Sequence, residues 1–187
     1  IVSRCQPLRL RPVPRAQVAA ALREQRKLSA GDADLLAAWS SGRIGWALRM
    51  VDAPEELEAR QEQLATLLAL NDQPIAMRLR WAEERAKEYR AGEQALVFET
   101  LTLWQSWWRD VLLTAANCPQ AVIHIDRRDQ LVTMAARYSI PDLHAFITSI
   151  NLAAQRLREN VNPQLALEGA LLALPQPTAA NVSARHK

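Results

Sequence analysis

Few residues of this chain have the types and spacing that chemistry demands. There are three histidines, His124, His144 and His186, and two cysteines, Cys5 and Cys118. The cysteines lie 113 positions apart without a C-x-x-C pair. A structural zinc site needs four ligands in close pairs, so no metal is expected. His124 and His144 are isolated from any serine or cysteine nucleophile motif and read as structural or surface residues. The carboxylate pairs Glu55/Glu56 and Glu83/Glu84 are adjacent, so on a helix they point about 100° apart and suit solvated faces better than acid–base work. Two features remain. One is Trp104-x-x-Trp107-Trp108-Arg109-Asp110; the other is Ser3-Arg4-Cys5-Gln6.

The tryptophans allow two readings. Trp104 and Trp108 lie one turn apart and Trp107 sits beside them, so the cluster spreads over two helix faces. One face can pack inside its own bundle while the other, with Arg109, meets a neighbouring chain. Alternatively, all three are the large side chains of a single core. Stacking on single-stranded nucleic acid is disfavoured, because the segment carries one arginine and no basic interleaving.

The elements that must position these residues are helices. Ala and Leu supply 59 of 187 residues, Val, Ile and Thr only 25, and Gly only 5. That balance predicts an all-α chain. It also argues against the common nucleotide-binding α/β domains, whose phosphate loops need glycine. Neither G-x-x-x-x-G-K-[ST] nor G-x-G-x-x-G occurs.

Punctuation divides the helices. Residues 1–12 alternate like a strand leading into a linker. Pro14 suits the first turn of a helix reaching about Lys27. Asp32 is a candidate N-cap for a helix over Ala33–Trp39, and a short helix follows over Ile44–Val51. Longer helices are predicted over Glu55–Leu70, from Pro74 to about Arg90, and over Glu93–Ala116. Ile75, Leu79, Ala82 and Ala86 form the apolar stripe of the second. Val97, Leu101, Trp104, Trp108, Val111 and Ala115 form that of the third, widened by Leu96, Leu103 and Trp107. Further helices are predicted over Asp126–Tyr138, from Ser139-Ile-Pro141 to about Glu159, and from Asn162-Pro163 onward. Residues 176–187 read as a flexible tail.

Charge is uneven. Residues 1–27 hold seven basic groups against Glu24, whereas the whole chain is only +3. A basic end on a nearly neutral body suggests an anionic partner there. No apolar run approaches the ~20 residues of a membrane span, and no signal peptide opens the chain. We therefore expect a cytoplasmic protein without a membrane partner. The missing initial Met makes the first residue look like an internal cut.

Ser3-Arg4-Cys5, followed by a three-helix unit ending in Ser41-Gly42-Arg43-Ile44-Gly45-Trp46-Ala47-Leu48, resembles the exit of the nucleotide-binding domain of clamp-loader AAA+ subunits and the lid behind it. The W-x-x-W-W-R-D cluster and Asn160-Val161-Asn162-Pro163-Gln164-Leu165-Ala166-Leu167-Glu168 resemble the collar domain of bacterial DNA polymerase III delta-prime subunits. The resemblance covers about residues 1–175. It implies the end of a truncated nucleotide-binding domain at 1–6, a small three-helix lid at 7–52 and a collar bundle of about six helices at 53–175.

The resemblance also implies roles. Arg4 matches the arginine that, in clamp loaders, reaches the γ-phosphate of ATP on the adjacent subunit. There a guanidinium neutralises charge developing during phosphoryl transfer. Gly42, Arg43 and Trp46 fall in the segment called sensor 2, where active subunits usually place an arginine facing their own nucleotide. Trp46 near that place makes this a degenerate sensor 2 and suits a subunit with little or no ATPase activity. The implied partners are gamma/tau and delta, with the sliding clamp and primed DNA reached through the whole DNA polymerase III complex. The fragment needs no cofactor and is not itself an enzyme. The alternative is a stand-alone helical nucleic-acid-binding or regulatory protein with a basic N-terminal arm.

Overall fold

A computed structural model of the chain describes residues 11–177. These residues are all-α, with no strand among them. The expected strand therefore lies mostly outside the described residues, and Arg11 and Pro12 are irregular. Contacts divide the chain into two compact units, Ile1–Leu57 and Glu58–Lys187.

The first unit has three helices, α1 (Arg15–Arg26), α2 (Ala30–Ser40) and α3 (Ile44–Asp52). Pro14 precedes α1 with φ −53°, and Lys27 ends it in the left-handed conformation. The cap of α2 is Ser29, not Asp32. Its hydroxyl accepts the Asp32 N–H at 3.1 Å and donates to the Asp32 carboxylate at 2.7 Å. A serine three positions before an acid satisfies orphan amides at the first turn, so the helix starts earlier than Asp32 alone would predict. Val18, Ala19 and Leu22 of α1, Ala33, Leu36 and Ala37 of α2, and Ala47 and Met50 of α3 make the core. Arg26 pairs with Asp52 at 2.7 Å, fastening the end of α1 to the end of α3. The unit continues through Leu57, beyond the expected end at residue 52, because Leu57 packs against this core.

The second unit is built from α4 (Pro54–Ala69), whose first turn belongs to the first unit, α5 (Ile75–Arg90), α6 (Gln94–Ala115), α7 (Arg128–Ala135), α8 (Ile140–Arg158) and α9 (Pro163–Leu172). Long α6 packs against α5, α7 and α8, while α9 packs against α5 and α8. Ser139 caps α8 and Asn162 caps α9, each accepting a backbone N–H of the first turn. The sequence expectation of one helix over Asp126–Tyr138 is corrected. Ile125–Arg127 is a 3-10 turn and α7 ends at Ala135. Two positions assigned to apolar stripes are instead exposed, Ile75 by 50% and Leu96 by 37%. Ile75 opens its helix and Leu96 lies in the first turn of its own, where no neighbouring element covers them.

Candidate functional site

The sequence-selected residues fall into three places. Arg4 lies outside the described residues, as do Cys5 and His186. Gly42, Arg43 and Trp46 sit at the turn into α3. Trp104, Trp107, Trp108 and Arg109 sit on α6.

The tryptophans are core. Trp104, Trp107 and Trp108 are each 0% exposed, which overturns their assignment to an interface. The physical reason is that α6 is covered on several sides. Trp104 meets Phe146 of α8 edge-on at 5.1 Å and Trp81 of α5 at 6.1 Å. Trp108 meets Phe146 at 5.0 Å and Tyr138 at 5.4 Å. Trp107, on the neighbouring face, stands edge-on to His124 at 5.4 Å. The two faces that seemed to need two partners are filled from within the same chain, by α5, α8 and the segments that carry Tyr138 and His124. Edge-to-face pairs of this kind contribute about 0.5–1.5 kcal/mol each beyond their buried area.

Arg109 is half exposed, yet it also turns inward. Its guanidinium donates to the Asp110 carboxylate at 3.3 Å and to the Ala121 carbonyl at 3.4 Å. Asp110 is the functional-looking residue that sequence reasoning misses. It is 0% exposed, and one carboxylate oxygen accepts the N–H of Ile123 at 2.9 Å and of His124 at 2.8 Å. The same oxygen lies 2.7 Å from His124 Nδ1. This is the geometry of a general-base dyad. His124 is only 2% exposed, however, so no substrate reaches it, and no nucleophile completes the set among the described residues. The dyad fastens the segment after α6 to the core. The signal is present in the sequence, because Asp110 follows Trp107 by three positions and shares its buried face.

In the first unit, Arg43 lies over the Trp46 ring at 5.7 Å, an exposed cation–π contact. Trp46 is half-buried against the core of α1–α3. This turn therefore presents Arg43 at the surface, with its Nε also held by the Ser40 carbonyl at 3.1 Å.

No three acidic, histidine or cysteine side chains come together to hold a metal among the described residues. Likewise, no helix among the described residues is long and apolar enough to cross a membrane. The grooves of the second unit are apolar. One, of about 310 Å³, lies where α4 meets α5 and is lined by Leu70, Met77 and Trp81 beneath the ion pair of Arg80 with Glu84.

A family model described as DNA polymerase III, delta subunit, C terminal, matches residues 54–176. No curated protein and no solved structure matches the chain. The description names delta, where the sequence resemblance points to delta-prime. The matched stretch opens with α4 and closes just past α9, and so takes in the whole tryptophan-centred bundle. It spans well over half of the chain, which therefore belongs to the family of C-terminal domains of the DNA polymerase III delta subunit.

Proposed function

We propose that this chain is the lid and collar part of a delta-prime-like clamp-loader subunit, and that its work is assembly. The observation that carries the reading is the family match over the tryptophan-centred bundle. Membership of that family supports association with other DNA polymerase III clamp-loader components. The finer assignment to delta-prime rests on Ser3-Arg4-Cys5, on the three-helix unit behind it, and on the resemblance that puts Trp46 near the place where active subunits have an arginine. In this reading Arg4 contributes a guanidinium in trans to a neighbour's ATP. The chain hydrolyses no ATP by itself and takes no cofactor. The loader it joins opens a sliding clamp and places it on primed DNA.

With the tryptophans inside, the contact with a neighbouring subunit falls to side chains that the bundle leaves outside. Leu165 and Leu172 are 61% and 63% exposed and lie seven positions apart on one face of α9. A loader subunit packed beside the collar would cover them, and burying a leucine contributes roughly 1.5–3 kcal/mol. The test is affinity for gamma/tau. We expect salt-insensitive binding that Leu165→Glu with Leu172→Glu weakens. A steep salt dependence of DNA binding, with no affinity for gamma/tau, would instead support the basic-arm alternative.

A further inference from the structure

The turn joining α2 to α3 holds more than its own helices. Ser41 has φ 49° and Gly42 φ 81°, two successive residues in the left-handed region. Ser40 is fully buried; its hydroxyl donates to the Ala37 carbonyl at 2.8 Å and accepts the Gly42 N–H at 3.2 Å. The Arg43 N–H donates to the Ser40 carbonyl at 3.0 Å. The turn is thus fixed from within. Against it lies the chain that enters the unit. Val13 donates its N–H to the Gly42 carbonyl at 2.9 Å, and its side chain packs against the core of α1–α3.

That approach is close enough to exclude a side chain. A Cβ on Gly42 would stand 2.6 Å from Pro12 Cβ, 2.7 Å from the Val13 carbonyl oxygen and 2.8 Å from the Val13 nitrogen. All three are backbone atoms or a rigid ring, with no flexible end to swing aside. Gly92 is the contrast. Its φ is 101°, but a Cβ there would meet nothing within 4 Å. Gly92 answers to backbone conformation alone, whereas Gly42 answers to conformation and to close packing together.

We propose that Gly42 is a docking seat that registers the entering chain, at Pro12 and Val13, against the start of α3. The seat makes the entry and the helix bearing Trp46 move together, so a displacement of one is passed to the other. Gly42 is in this sense a positioning residue. Arg4 lies eight positions before Pro12, so the seat is the nearest described anchor for the segment that carries it. That consequence rests on the assembly reading above; the seat itself does not.

Amide hydrogen exchange on the chain tests the seat. Asn accepts a left-handed backbone but brings a Cβ, so Gly42→Asn separates the two demands. We expect Gly42→Ala and Gly42→Asn each to speed exchange at Val13 by about tenfold or more, with Leu22 and Leu36 changed by less than about threefold. Pro12→Gly, which leaves the turn intact, should free the same amide, and Gly92→Asn should not. A Val13 amide that stays protected in Gly42→Asn, or an equal acceleration throughout α1–α3, would overturn the seat. In the complete protein, Gly42→Ala should lower stimulation of the loader's ATPase as Arg4→Ala does. A loader indifferent to Arg4→Ala contradicts the assembly reading, and the exchange result then still decides the seat.

Discussion

His124 Nδ1 lies 2.7 Å from the Asp110 carboxylate, joining α6 to a segment 14 positions further along the chain. Both groups are buried, and two backbone amides converge on the same oxygen. Removing one partner of such a pair leaves the other desolvated and unmatched. Asp110→Ala should therefore destabilise the second unit by about 3–5 kcal/mol, and Asp110→Asn by less, because an amide oxygen can still accept. Urea unfolding followed by tryptophan fluorescence measures both. A loss below about 1 kcal/mol for Asp110→Ala would show that the fastening is idle.

Trp107→Ala or Trp108→Ala should each cost about 3–5 kcal/mol through lost burial and the cavity left behind. Circular dichroism should show a lower melting temperature for the bundle, and any weaker binding to a partner should follow from that loss. An unaltered melting temperature with weakened binding would return these side chains to an interface.

Tyr138 is buried against Trp108, and burial raises its pKa above the ordinary 10.0, opposed in part by the neighbouring Arg137 guanidinium. The sign follows from linkage. A raised folded-state pKa gives stability that is complete below pH 10 or so and is lost as pH climbs through the folded value. Denaturation midpoints of the wild type should fall above about pH 10 more steeply than those of Tyr138→Phe. Parallel curves would remove Tyr138 from the alkaline transition.

The Ser139 hydroxyl accepts the Asp142 N–H at 3.2 Å and donates to the Asp142 carboxylate at 2.6 Å. Ser139→Ala should cost about 1 kcal/mol, measured by chemical denaturation. No change would mean that solvent replaces the cap.

What is legible in the sequence is local. Periodicity places the helices, and Pro14, Ser139 and Asn162 mark their starts, because caps and proline act over a single turn. Asp32 draws attention away from Ser29, although the two residues cooperate in one cap. The tryptophans are visible as a cluster, but nothing along α6 says how many elements surround it. That depends on Phe146, Tyr138 and Trp81, which are distant in sequence. The Asp110–His124 pair is hidden for the same reason, and the short helix α7 because 3-10 turns at 119–121 and 125–127 break no apolar pattern. The seat at Gly42 depends on a tertiary approach, so the glycine is visible as part of a motif while its packing is not.

The assembly reading is tested most directly by titrating the chain against gamma/tau at low and high salt, with Leu165→Glu/Leu172→Glu beside the wild type. The account predicts wild-type affinity that changes little with salt and falls at least about tenfold in the double variant, a loss of about 1.4 kcal/mol, while the helical content stays the same. Undiminished binding by the double variant would contradict the α9 contact. No measurable binding by the folded wild type would contradict the assembly role itself.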